Sequence, residues 1–268
     1  MEYKPGSEEI MFSVKDLQRW RWRINGAPGI EPPGTVIFCL QPDLLRAARR
    51  RYALKPVKGF FGECFLLKYK HSSVMLAGGV GVGAPGMAIM IEECIAFGIR
   101  RFISIGAAGA IQPYLKTGDV IACDRAIRGE GTSGHYLPPS FAVEADPGLL
   151  QEVCSGLASR GIPFHQGTSW STDAPYRETR KEASAYRQAG VLAVEMEAAA
   201  CLAAARGLGA QAAAVLVVAD RLMPTGWEPP EKISMIQKSL RAALGAAISY
   251  LALIGDNPEY QKLTRETP

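Results

Sequence analysis

The twenty residues Ser72–Ile91, SSVMLAGGVGVGAPGMAIMI, contain no charged side chain. Their length matches a bilayer span, yet Gly78, Gly79, Gly81, Gly83, Pro85 and Gly86 interrupt the middle. That density of helix breakers is wrong for a membrane helix. The stretch reads instead as a buried strand over 73–77, a glycine turn, and a helix over 85–97 with proline in its first turn. Strand, turn and helix in that order is the repeating unit of an α/β sheet.

The alternation extends in both directions. TVIFCL (35–40), RFISI (101–105), 119–123, 164–169, 191–194 and AAAVLVVA (212–219) read as strands. Residues 42–52, 147–160, 178–188, 196–206 and 231–253 read as helices. Continuous apolar strands between helices indicate a mainly parallel sheet covered on both faces. Residues 1–34 read as an irregular N-terminal extension, polar and marked by Pro5, Pro28, Pro32 and Pro33, with Trp20 and Trp22 pointing to a docked part. Residues 35–268 read as one domain, with no linker, repeat or low-complexity tract.

Composition narrows the classes. The chain has 268 residues, 48% hydrophobic and 21% charged, with a formal charge of +4. That excludes a disordered chain, a collagen and a small disulfide scaffold. The charge is too mild for a dedicated nucleic-acid binder, and the densest basic cluster, Arg46 to Arg51, falls on a helix. Among the six cysteines the closest two, Cys39 and Cys64, are 25 positions apart, so there is no CxxC and no metal-ligand spacing. MEYKPGSEEIMF has no apolar core of a signal peptide. The expectation is a reduced, cytoplasmic protein with no membrane span and no metal.

Ligands of such folds bind outside the carboxyl ends of the strands. GVGAPG (81–86) matches G-x-G-x-x-G. A dinucleotide site would also need an acidic residue about 20 positions on, where the chain reads ISIGAAGA. The turn is left as a cradle for another phosphate or a sugar, or as a structural turn. In AVEMEAAA (193–200), Glu195 and Glu197 flank Met196. They are solvated first-turn glutamates or acceptors for the paired hydroxyls of a ribose. Asp220, after VLVVA, is a turn residue or a proton donor and acceptor. His135, in DRAIRGEGTSGHYLP (124–138), is structural or catalytic.

Together these segments resemble the nucleoside phosphorylase family of purine nucleoside and uridine phosphorylases. The carriers are GVGAPGMAIMIEE (81–93), ISIGAAGAIQPYLKTGDVI (103–121), RGEGTSGHYLP (128–138), STDAPY (171–176), VEMEAAA (194–200) and VLVVAD (215–220). The resemblance covers about Thr35 to Leu253. It implies a three-layer α/β/α sandwich with a mixed, partly barrel-like central sheet. It implies phosphorolysis of a nucleoside to base and ribose 1-phosphate, with phosphate as co-substrate and no cofactor. It also implies a homo-oligomer, a dimer or trimer of dimers, whose sites are completed by neighbouring subunits.

Residue by residue, the resemblance makes Glu197 the ribose ligand and packs Met196 against the sugar. It puts Glu195 and Tyr176 near the base. Asp220 is the proton donor to a purine, with Lys232 assisting. Gly83, Arg46, Ser104 and Ala107 fall at phosphate-binding positions. There the chain departs from the pattern. Leu40-Gln41-Pro42-Asp43 replaces a Gly-Asp-Pro turn, Ser104 replaces an arginine, and Ala107 replaces a Ser or Thr. Lys55 or Lys58 stands for the arginine lent by a neighbour, and the family's N-terminal histidine has no match. Three readings follow: a phosphorylase with a remodelled phosphate site, a hydrolytic nucleosidase, and a non-catalytic nucleoside binder. Asp220 favours purines. The stretch after Tyr176 lacks the Gln of uracil recognition, although RGEGTSGHYLP is closer to uridine phosphorylases.

Overall fold

A computed structural model describes residues 10–69 and 72–255. The chain runs α1 (Val14–Asn25), β1 (Thr35–Cys39), α2 (Pro42–Arg51), β2 (Lys55–Val57), β3 (Glu63–Tyr69), β4 (Ser72–Gly78), α3 (Ala84–Phe97) and β5 (Arg101–Ala110). It continues through β6 (Val120–Gly129), β7 (Ala142–Glu144), α4 (Pro147–Ser159), β8 (Phe164–Thr172), α5 (Arg180–Gln188) and β9 (Ala193–Glu195). α6 (Ala198–Gly207), β10 (Gln211–Met223), β11 (Gly226–Glu228) and α7 (Ile233–Gly255) complete it. Short 3-10 turns lie at Ser133–His135 and Pro175–Arg177.

The described strands join in one mixed sheet, in the order β11-β10-β6-β8-β9-β5-β1-β4-β3-β2, with β7 on β6. β10 also pairs with β5, parallel over Gln211–Arg221. That pairing closes β10, β6, β8, β9 and β5 into a five-stranded barrel. β1, β4, β3 and β2 extend from β5 as an open wing. The partly barrel-like sheet implied by the resemblance is therefore present.

Alternation along β5 assigns the two faces. Phe102, Ala108 and Ala110 enter a core with Met87, Met90, Ile91 and Cys94 of α3 and the alanines of α6. Ile103 and Ile105 enter a second core with Leu44 and Leu45 of α2, Leu149 and Val153 of α4, and Leu240 and Leu244 of α7. Helices thus cover both faces of the sheet, the third layer of the sandwich. Ala198–Ala205 are all buried. Their small side chains let α6 lie close to both α3 and the sheet.

Ser72–Ile91 folds as its pattern dictates: β4, a glycine turn, then α3 with proline in its first turn. No described helix is long and apolar enough to cross a membrane. The extension expected to be irregular holds a helix instead. α1 starts on a capping box in which Ser13 and Asp16 satisfy each other's backbone N–H. Of the two tryptophans, Trp22 docks, its indole donating to the Gly59 carbonyl at 3.0 Å, while Trp20 is exposed. β5 and β10 run past the expected strand ends, through GAAGA and past Asp220.

Candidate active site

The glycine turn after β4 leads into α3 at the carboxyl end of the wing. Gly83 adopts φ 89°, a backbone region open to glycine. Its N–H donates to Glu197 Oε1 at 2.6 Å. The Met196 methyl lies over the same glycine, 3.7 Å from where a Cβ would stand. Gly83 and the adjacent Met196 and Glu197, over a hundred residues further on in sequence, thus meet at one point. Burial pushes the Glu197 carboxyl up, while the N–H groups of Gly83 and Met196 pull it down.

Glu195 faces inward. Its Oε2 accepts from the N–H groups of Glu197 at 2.7 Å and Ala198 at 2.6 Å. Its Oε1 accepts from the hydroxyls of Ser171 and, at 3.4 Å, Ser169. Ser171 in turn accepts from the Ala199 N–H at 2.8 Å. The expected base ligand is placed as a buried clasp on the first turn of α6, where helix N–H groups otherwise lack partners. It therefore positions Glu197, whose backbone it holds.

Burial pushes the Glu195 carboxyl from 4.5 to about 7. A carboxyl raised on folding stabilises the native state fully below its unfolded value, and that gain is lost as pH rises through the folded value. Relative to Glu195→Gln, the native protein is expected to lose thermal stability between about pH 4.5 and 7. Melting temperatures across that range check this, and a pH-independent difference between the two would contradict it.

Asp220 lies on the neighbouring side of the barrel. It pairs in register with Gly109 after a bulge in β10, and Gly109 pairs with Val194, just before the glutamates. A side chain at Gly109 would meet Asp220 Oδ1 at 2.9 Å, so glycine makes room for the carboxylate. The Trp227 indole, returning on β11, donates to Asp220 Oδ2 at 2.7 Å. Lys232, expected to assist Asp220, is exposed just before α7, while the side-chain hydrogen bond to Asp220 comes from Trp227. Glu178, half-buried, is raised to about 7 by burial and then by the charge of Asp220. Arg180 brings its segment in by donating to the Pro224 carbonyl at 2.5 Å.

The remaining expected residues are more dispersed. Ala107 is the one partly exposed position of β5. Ser104 is enclosed in the core beside the Cys201 thiol. Arg46 is exposed on α2 and paired with Asp43, which also accepts from Gln237 of α7 at 3.2 Å. Gln41, in the stretch that replaces the Gly-Asp-Pro turn, buries its side-chain carbonyl without a partner. Tyr176 is 97% exposed. Arg128 is spent within its own loop, on Ser133, Leu137, Pro138 and Ser140. Burial pushes the thiols of Cys39, Cys64, Cys123 and Cys201 up to about 12, which makes them inert as nucleophiles. Sequence reasoning missed Trp227 and Glu178, because a short hairpin and a loop bring them in without a periodic signal.

Carboxylates beside a glycine turn, at the carboxyl ends of a barrel-and-wing sheet, define an α/β protein built to hold a polar ligand there. The family model of the phosphorylase superfamily matches residues 36–252. The chain is 33% identical over 234 residues to the DeoD-type purine nucleoside phosphorylase of Jannaschia sp., covering 84% of this chain and 98% of that protein. It is 31% identical over 174 residues to the guanosine phosphorylase of Halorubrum lacusprofundi, covering 62% and 72% respectively. It is 35% identical over 164 residues to the uridine phosphorylase of Thermococcus kodakarensis, covering 56% and 59%. The chain belongs to the phosphorylase superfamily.

Proposed function

We propose that the protein is a nucleoside phosphorylase that prefers purine nucleosides and releases base and ribose 1-phosphate. The observation that carries this reading is the meeting of Gly83, Met196 and Glu197, with Asp220 one strand across the barrel. Glu197 turns from the Gly83 N–H to accept from the ribose hydroxyls, and Met196 packs against the sugar. Phosphate attacks C1′ as the glycosidic bond breaks and positive charge grows on the ribose. Glu197 holds the ring in place through that change. Asp220, oriented by Trp227, delivers a proton to the purine as it leaves. Glu178 beside it supplies a second carboxyl, raised to about 7 chiefly by burial.

Phosphate is the co-substrate in this reading, with no other cofactor. The Gly83 N–H released by Glu197 and Arg46, once freed from Asp43, are its ligands. Ala107 leaves room beside them. The domain spans residues 35–268. Tyr176, fully exposed in one chain, is covered by a neighbouring subunit in the homo-oligomer we propose, and Lys55 or Lys58 is offered to that neighbour in return. Six free, buried cysteines suit a cytoplasmic setting.

A second reading, hydrolysis by water, is favoured by one observation. Ser104 stands enclosed where the family carries an anion-binding arginine. For the phosphorylase reading, inosine and guanosine with phosphate are expected to release base faster than uridine does. Chromatography of the free bases checks this. No base from any of the three would contradict it.

A further inference from the structure

We infer that α1 is a brace for the glycine turn, and that Arg21 and Glu93 are positioning residues acting through the loop between β2 and β3. α1 precedes the segment that matches the family, 36–252. The inference rests on the proposed reading of the glycine turn as part of the ligand site.

The contacts form a continuous path. Glu93 of α3 is 0% exposed. Its Oε1 accepts from Arg21 Nη1 at 2.7 Å, and Arg21 is itself largely covered. Its Oε2 accepts from the Phe61 N–H at 2.6 Å. Gln18 of α1 adds a bond to the Glu93 carbonyl at 2.8 Å. The Trp22 indole holds the Gly59 carbonyl at 3.0 Å. The Phe97 ring meets Trp22 and Phe60 edge-on, at centroid distances of 6.0 and 5.2 Å. The loop over 59–62 is thus clasped between α1 and α3.

That loop presses on the turn. Gly62 sits so close to it that a Cβ there would stand 2.6 Å from the Gly78 carbonyl and 3.2 Å from a Val80 methyl. Gly78 and Val80 lead directly into Gly81–Gly83, and the Gly83 N–H meets Glu197. Each of these glycines is free to adopt many backbone conformations. An outside support is what limits them to one. A buried carboxylate without its cation is strongly unfavourable, so loss of Arg21 is transmitted to the Phe61 N–H and from there to the turn.

The test pairs a binding readout with one independent of activity. Arg21→Met is expected to raise the KM for the nucleoside about tenfold, with kcat changed by less than about twofold. Arg21→Met combined with Glu93→Gln removes both charges and is expected to recover part of that loss. Trp22→Phe keeps one aromatic ring and removes the indole N–H together with its five-membered ring. It is expected to raise KM by about two- to fivefold. Hydrogen–deuterium exchange of the peptide containing Gly78–Gly83 should quicken in both single variants, whichever substrate the protein takes. If Arg21→Met fails to fold, Trp22→Phe carries the test alone. Unchanged exchange in that peptide would overturn the brace. Faster exchange with no nucleoside turnover in any form would retain the brace and overturn the proposed activity. A fall in kcat alone, matched by a smaller folded fraction, would mark α1 as merely structural and also overturn the brace.

Discussion

Glu197→Ala is expected to lower kcat/KM for a ribonucleoside by about a hundred- to ten-thousandfold. In the proposed reading the carboxylate accepts from two hydroxyls of the sugar. Hydrogen bonds to a charged group contribute about 1.5–3 kcal/mol each. The side chain is only partly exposed, and burial already raises its pKa. Water therefore replaces it poorly. The variant also leaves the Gly83 N–H without its 2.6 Å partner. A 2′,3′-dideoxynucleoside lacks both hydroxyls, so the variant should lose little against that substrate. Steady-state kinetics on the two substrates checks the assignment. A variant that keeps native kcat/KM on the ribonucleoside would refute it.

Asp220→Asn should be the second large effect, and a selective one. General acid catalysis is worth about a hundred- to ten-thousandfold. It matters only where the leaving group needs a proton. Inosine and guanosine should lose that factor, while an N7-methylated purine nucleoside, whose base already carries positive charge, should lose far less. Asparagine retains an oxygen for the Trp227 indole, which now donates at 2.7 Å. The hairpin is therefore kept and the proton alone removed. Equal losses on both substrate types would count against proton donation by Asp220.

The parts of the fold legible in the sequence are those carried by local pattern. The uncharged stretch at 72–91 reads directly as β4, turn and α3, since apolar residues, glycines and one proline each act within a few positions. VEMEAAA marks a strand end for the same reason, whereas β10 runs on past VLVVAD to Met223. β3 is not legible in the same way, because Lys68 interrupts ECFLLKY and the strand is defined by its pairing with β4, not by local pattern. α1 was hidden by a polar sequence flanked by prolines, and its stability comes from Ser13, Asp16 and docking on α3.

Within the site, spacing identified the residue types and left their directions open. Glu195 and Glu197 are two positions apart, yet one points into the core and the other to the glycine turn. Only the surrounding elements decide that: Ser169 and Ser171 from β8 draw Glu195 inward. Ser104 likewise turns to Cys201 of α6 because it shares the face of Phe102. Trp227 reaches Asp220 through a strand of three residues, too short to carry a pattern.

The central claim is that phosphate, and not water, takes the ribose. The measurement is release of base from inosine in phosphate-free buffer and in buffer with saturating phosphate, with the sugar product identified by phosphorus NMR. The account predicts base release only when phosphate is present, in a one-to-one ratio with ribose 1-phosphate. Base release at the same rate without phosphate, with free ribose as the product, would contradict it.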